Sequence, residues 1–367
     1  MKSKKILCVL HLPPPVHGAA MVGNWIKDSE LINKDLDITY VNLSTSQTLQ
    51  EIGEGGIKKL LSFFKVFFRV FKSIFGKKYD LCYMTLTATG AGFYKDACVV
   101  FLLKLFGQNI IYHFHNKGVS KNSDSSMNQK LYKFVFKNTK SILLSKHLYN
   151  DIAEFVSEKD VYYCPNGINN VDFDFNSIKN TNVNDPCKFL WLSNMMEEKG
   201  VLVLLEACKL LKSRNIAFEC HFIGAWSDVT EEKFNQKVVE FGIKENIFAH
   251  GKKYNEDKFE FFKNSDVFVF PTYYHNETFG LVLVEAMQAY LPAVSTNEGG
   301  IPDVVENGKT GLIVEKRNSK DLADKLELLC LEPELRIKMG KAGNQRYKEK
   351  FTMDIFENKI QDIFQEA

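Results

Sequence analysis

Twelve short apolar runs constrain the fold more than any other feature of this chain. Six lie before a polar break near the middle, and six lie after it. Lys5–Leu12, Ile38–Leu43, Asp80–Leu86, Asn109–His115, Ser141–Ser145 and Val161–Cys164 read as the first six strands, with helical periodicity between them. The pattern stops at Asn166-Gly-Ile-Asn-Asn170 and in a stretch rich in Asn, Asp and Ser that ends at Asp185-Pro186. It restarts with Lys188–Ser193, Phe218–Gly224, Ile247–His250, Val267–Pro271, Ala293–Thr296 and Leu312–Val314. Strand–helix alternation of this kind builds parallel sheets with helices on both faces. The expected architecture is α/β: two Rossmann-like domains facing each other across a cleft. The first spans 1–168, a hinge 169–186, and the second 187–345. From Pro333 the chain reads as helical to its end, and a helix over 346–367 is expected to cross back to the first domain.

A length of 367 residues suits two domains. The overall charge is close to neutral, but the halves differ. Residues 1–168 hold 22 basic and 13 acidic side chains, and the remainder holds 25 and 32. The balance points away from nucleic acid and toward partners that differ between the halves. None of the eight cysteines forms a C-x-x-C pair, and most sit in apolar runs, so buried reduced thiols are expected. The first residues run straight into a strand pattern rather than a signal peptide, and no run is apolar enough to span a bilayer. These features imply a cytoplasmic protein, at most peripheral on the inner face of a membrane.

The most informative segment runs from Phe270 to Met287 and holds Glu277 and Glu285. The apolar spacing predicts a helix that starts near Thr278. The N–H groups near Phe279, Gly280 and Leu281 would then face outward unpaired, which suits a phosphate. Glu277 would sit beside that anion and Glu285 about 10 Å further along the axis. One carboxylate at each end of a diphosphate suits a nucleotide sugar, with Glu285 accepting from ribose hydroxyls and Glu277 from sugar hydroxyls. A surface carboxylate on an amphipathic helix would give the same spacing.

Glu277-Thr-Phe-Gly-Leu281 with Glu285-Ala-Met287, Pro292-Ala-Val-Ser-Thr296, Gly299-Gly-Ile-Pro-Asp-Val-Val305 and Thr310-Gly-Leu312 share one order. Glu198-Lys-Gly200 and Pro165-Asn-Gly-Ile168 precede them. In this order the chain resembles glycosyltransferase family 4, retaining enzymes of the GT-B fold that include capsular and envelope polysaccharide enzymes. The resemblance implies that Lys199 contacts the donor diphosphate and that Gly224 turns near the nucleotide. It also implies that Thr278, Phe279, Gly280, Leu281 and Glu285 line the donor site and that Glu277 binds the transferred sugar. The family usually has Arg five residues before the lysine, where this chain has Asn194.

On the acceptor side, His17, Gly18 and Ala19 resemble the family's glycine loop. Tyr112-His-Phe-His-Asn-Lys-Gly118 ends the fourth strand, where His113 and His115 would share one face. By position His115 matches the family's histidine near the reacting sugar, and Asn116 adds a polar acceptor contact. Asp35-Leu-Asp37 and Asp172-Phe-Asp174 have the letters of a metal motif but read as solvated turns, so no obligatory metal or other cofactor is expected.

From Ile57 to Phe75 the chain reads IKKLLSFFKVFFRVFKSIF, six of its 30 phenylalanines in one helix. Lys58, Lys65, Arg69 and Lys72 form a stripe, and no acid occurs between Gly56 and Lys78. Such a helix either lies on an anionic membrane or packs on the sheet with its lysines in water. The reading that results is a nucleotide-sugar-dependent hexosyltransferase acting on a glycan, with a lipid-linked acceptor if the helix docks. The competing readings are a nucleotide-sugar 2-epimerase of the same fold and an inactive scaffold of a glycan-assembly complex.

Overall fold

A computed structural model of the chain describes residues 3–15, 18–45, 57–171, 173 and 185–367. His17 and the Asp172-Phe-Asp174 carboxylates lie outside the described residues, as does the Lys58 side chain. The chain divides into two units, Met1–Gly167 with Asp354–Ala367 and Ile168–Met353.

The first unit contains β1 (Lys4–Leu10), β2 (Leu36–Asn42), β3 (Leu81–Thr85), β4 (Ile110–His113), β5 (Lys140–Leu143) and β6 (Val161–Tyr163). They form one parallel sheet in the order β2-β1-β3-β4-β5-β6. Its helices are α1 (Gly18–Asp28), α2 (Glu30–Asn33), α3 (Ile57–Ile74), α4 (Gly90–Leu105), α5 (Val119–Asn122) and α6 (Ser126–Phe136). From Ile6 to Leu10 every residue of β1 is buried, as is all of β3. Continuous apolar runs of this kind are what a strand covered on both faces requires. The sheet order reverses between β2 and β3. Right-handed crossovers therefore put α1 on one face and α3, α4 and α6 on the other. Packing agrees: the Tyr112 ring of β4 meets Phe136 of α6, and α4 lies between α3 and α6.

The second unit contains β7 (Cys187–Leu192), α7 (Val201–Ser213), β8 (Phe218–Ile223), α8 (Glu231–Glu240), β9 (Ile247–Ala249) and α9 (Asn255–Lys263). It continues with β10 (Val267–Phe270), α10 (Leu281–Gln288), β11 (Ala293–Thr296), α11 (Ile301–Val304), β12 (Gly311–Val314), α12 (Ser319–Leu331) and α13 (Pro333–Lys350). Its sheet is also parallel, in the order β12-β11-β10-β7-β8-β9. Side-chain caps fix several helix starts: Thr230 accepts from the Lys233 amide at α8, and Asn318 from the Asp321 amide at α12. All twelve expected strands are present, each within about two residues of its expected bounds.

The helical stretch from Pro333 is two helices rather than one. The break falls at Phe351–Thr352, where Ile168 donates to the Phe351 carbonyl and accepts from the Met353 amide. The final helix, α14 (Met353–Glu366), then packs on the first sheet. Phe364 meets the Tyr83 ring edge-on at 5.3 Å, and Gln361 donates to the Leu31 carbonyl. All eight cysteines are free thiols, and all but Cys98 are buried. No helix among the described residues is long and apolar enough to cross a membrane.

Candidate functional site

In the second unit β7 and β10 are neighbours, so the loops that follow them leave the sheet side by side. The loop after β7 ends in a single 3-10 turn, Glu197–Lys199, before α7. The loop after β10 carries Pro271–Gly280. Tyr273 donates its amide to the Glu198 carbonyl at 2.8 Å, which ties the two loops together. The result is that Lys199 and Glu277, 78 residues apart in sequence, form a 2.7 Å ion pair. Their side chains are only 15% and 11% exposed. The Lys199 ammonium also lies 4.4 Å from the centre of the Tyr274 ring. The lysine is therefore not a solvated residue at a helix start. An ammonium has three donors, so one bond to Glu277 leaves capacity for an arriving anion.

α10 starts at Leu281, later than the expected Thr278. Gly280 precedes it in the left-handed region (φ 76°), which a helix cannot include. Thr278 and Phe279 belong to a turn instead, held where Gly300 donates to the Thr278 carbonyl at 2.9 Å. A Cβ on Gly299 would fall 2.0 Å from the Glu277 carbonyl oxygen, so only glycine lets this segment press so close. Glu285 is the fifth residue of α10, about 6 Å along its axis, and does not share a helix face with Thr278.

Glu285 makes its own ion pair, with Lys258 of α9 at 2.8 Å through Oε1. Its Oε2 is buried with no hydrogen-bond partner in the protein. A buried acceptor in that state costs about 1–3 kcal/mol, and a ligand hydroxyl at that atom would relieve it. No sequence pattern singles out Lys258, which sits in the highly charged stretch Asn255–Lys263.

Gly224 follows β8 where the loop after β7 crosses it. A Cβ there would lie 1.6 Å from the Ser193 carbonyl oxygen, so the protein's own backbone demands this glycine. Asn194 is exposed in the same loop, and its carbonyl accepts from the Met196 amide.

In the first unit β4 ends at His113, so His115 lies just beyond the strand rather than in it. The two imidazoles still touch, with centroids 4.2 Å apart. His113 is fully buried, and its Nδ1 lies 2.6 Å from the Tyr83 hydroxyl. Burial, and secondarily the neighbouring His115, push His113 well below the usual imidazole range. Burial likewise pushes the Tyr83 phenol well above its usual range. Both groups are therefore neutral at pH 7, which fits donation from the Tyr83 hydroxyl to Nδ1 and a proton on Nε2. That Nε2 has no partner in the protein. With no exposed surface of its own, His113 lies against the His115 ring. Asn116 accepts from the Ala88 amide at 3.0 Å, so its carbonyl oxygen positions the loop after β3. Gly18 opens α1 with open space where a Cβ would be, and Ala19 beside it is half-buried. Asp35 lies in the turn before β2 and Asp37 is the second residue of that strand; both are exposed.

Residues 172–346 match the model of the family Glycosyl transferases group 1. The capsular polysaccharide biosynthesis glycosyltransferase CapM of Staphylococcus aureus is 31% identical over 182 residues, 50% of this chain and 47% of that protein. The putative colanic acid biosynthesis glycosyltransferase WcaL of Salmonella typhimurium is 29% identical over 166 residues, 44% and 39% of the two chains. The chain thus spans about half or less of the length of these curated relatives. Among solved structures, HepE of Anabaena in complex with UDP superposes with a TM-score of 0.75 at 15% identity, covering 99% of this chain and 100% of that one. That likeness is one of fold. The two parallel six-stranded sheets with their flanking helices are a GT-B fold, and residues 172–346 carry on it the sequence pattern of group 1 glycosyl transferases.

Proposed function

We propose that the protein is a retaining glycosyltransferase of family 4. It moves a hexose-type sugar from a nucleoside-diphosphate sugar to a glycan acceptor in cell-surface polysaccharide synthesis. The observation that carries this reading is the convergence of Lys199 and Glu277 just before α10, the helix that holds Glu285 and its unpartnered oxygen. Lys199 and the start of α10 supply positive charge for the diphosphate without a resident metal. Glu285 Oε2 takes a ribose hydroxyl, and Glu277 takes a hydroxyl of the sugar. The relatives named for capsular and colanic acid biosynthesis support the polysaccharide context, and the UDP complex of HepE supports a nucleotide ligand.

In the reaction the bond from the anomeric carbon to the diphosphate oxygen breaks. The acceptor hydroxyl oxygen bonds to that carbon on the same face and gives its proton to the departing diphosphate. Lys199 stabilises the charge that develops there. His115 lines the acceptor side as a hydrogen-bonding group, and the Gly18–Ala19 loop and Asn116 supply further acceptor contacts. The acceptor is lipid-linked, and the protein works at the cytoplasmic face of the membrane.

The test is transfer from a panel of nucleoside-diphosphate sugars, with the anomeric configuration of the product read by NMR. Retention together with loss of transfer in Glu277→Ala is the expected result. An inverted product would overturn the mechanism. Turnover of the donor to an epimer without acceptor would overturn the transferase reading.

A further inference from the structure

The outer helical layer of the first sheet has one composition on its exposed side. α3 packs inward through Val66, Val70 and Ile74, all buried. The wide apolar arc of this helix therefore splits in two. A second apolar row, Leu61, Phe64, Phe68 and Phe75, advances in steps of three, four and seven residues and faces solvent. Phe68 is 65% exposed. Beside that row runs an exposed basic row of Lys65, Arg69 and Lys72, with Lys77 and Lys78 just after the helix.

The same pattern continues onto the neighbouring helices. Phe101 and Leu105 of α4 are exposed, the latter at 67%, and Met127 and Phe134 of α6 are exposed beyond them. The Phe71 ring of α3 meets Phe106 after α4 at 5.8 Å, and Phe101 of α4 meets Phe134 of α6 at 6.1 Å. The three helices thus form one layer. α3 and α6 contain no Asp or Glu, and the sole acid of α4, Asp96, is fully buried. Lys130 and Lys133 add exposed positive charge on α6.

We infer that the exposed face of α3, α4 and α6 docks flat on an anionic phospholipid bilayer. Aromatic and aliphatic tips enter the headgroup region, and the lysines and arginine beside them meet lipid phosphates. Charge selects this occupant over a second copy of the chain. Two such faces would set Lys and Arg against Lys and Arg, whereas an anionic leaflet neutralises them. The inference stands on the first unit alone and does not require the transferase reading. If both hold, docking brings the first sheet to the surface where a lipid-linked acceptor resides.

The test is flotation of the full-length protein with phosphatidylcholine vesicles that contain or lack about 30 mol % phosphatidylglycerol. Wild-type protein is expected to float with the anionic vesicles and to stay behind with the neutral ones. Each basic side chain near the surface contributes about a fivefold change in partitioning, so Lys65→Glu with Arg69→Glu should lower it by well over about tenfold. Phe64→Ser with Phe68→Ser, and separately Phe101→Ser with Leu105→Ser, should also lower it. These positions are exposed, so the fold is retained. Hydrogen exchange of the wild type supplies a readout free of mutation: anionic vesicles should slow exchange in 61–78 and 98–106 and leave the second unit unchanged. Absence of flotation on anionic vesicles, or flotation unaffected by either Phe pair, would overturn the inference. So would a concentration-dependent dimer in lipid-free solution that Phe64→Ser with Phe68→Ser abolishes. Transferase activity of these variants on a soluble acceptor should equal wild type, so failure here leaves the donor site untouched.

Discussion

The strand-end loops of the two sheets handle charge in opposite ways. After β7 and β10, two lysine–carboxylate pairs stand close to the same helix, Lys199 with Glu277 and Lys258 with Glu285. At the end of β4 the buried pair is neutral: His113 is held uncharged by burial and bonded to a phenol that is itself held protonated. A surface of compensated charges can exchange one partner for an incoming anion at little net cost. A neutral, desolvated imidazole and phenol cannot hold an anion, but they fix the orientation of whatever the next imidazole touches. In the proposed function the diphosphate goes with the second unit and hydroxyl recognition with the first.

The sharpest way to break this comparison is to remove Glu277, the carboxylate we propose faces the transferred sugar. Glu277→Ala should lower turnover by about 100–1000-fold, the loss typical when one group aimed at the reacting centre is deleted. Glu277→Gln should recover part of it, because an amide keeps an acceptor. Steady-state rates of donor consumption with a saturating acceptor measure both. If Glu277→Ala kept wild-type turnover, the charged loops would be a structural clamp only.

Lys199→Met should act on binding. It removes a charge-assisted contact worth about 1.5–3 kcal/mol, so affinity for a nucleoside diphosphate should fall by about 10–150-fold in calorimetry. It also strands Glu277 without its partner, so the variant's melting temperature serves as the control. Lys258→Met should have a smaller effect, about 1 kcal/mol, since Lys258 and Glu285 keep partial access to water. Its signature is selective: nucleotide binding weakens, whereas binding of inorganic diphosphate does not change.

Much of this fold was legible in the sequence because strands such as β3, β4, β10 and β11 are buried along their whole length. Runs such as Ile6–Leu10 have no polar face to confuse the reading, and glycines or polar turns bound them. The pairs that define the site were legible only in part. Glu277 and Lys199 could each be singled out by motif, but their contact depends on β7 lying beside β10, which no local pattern states. Lys258 escaped because a lysine in Asn255–Lys263 looks solvated until α9 is placed against α10. The start of α10 was misplaced by three residues for a similar reason. Gly280 adopts its left-handed conformation while Gly299 and Gly300 clamp the preceding turn, and that clamp is tertiary. The two imidazoles at the end of β4 do touch, although His115 lies beyond the strand whose alternation was expected to pair them. Alternation could not show that Tyr83, a diagonal neighbour on β3, seals one of them under α14.

The smallest expected effect tests the neutral half of the comparison through pH. A histidine held below its unfolded value resists protonation only while the unit is folded. The unfolded chain takes up that proton below about pH 6.5, so it binds more protons than the native state there. Stability of the first unit is therefore full above about pH 6.5 and falls as the pH drops below it, by at most about 1.4 kcal/mol per pH unit for His113 alone. His221 and His250 in the second unit are also lowered, chiefly by burial, so a whole-protein melt would mix the two units. The opening free energy of β4 amides, from hydrogen exchange corrected for intrinsic rates, separates them. Between about pH 7.5 and 5.5 it should decline in the wild type and stay nearly level in His113→Gln, whatever that variant's absolute stability. Tyr83→Phe should keep the decline, because burial rather than the phenol is the main cause of the shift. A wild-type β4 as stable at the lower pH as at the higher would mean that His113 accepts a proton in place, and the strand end of the first sheet would then carry charge as the second does.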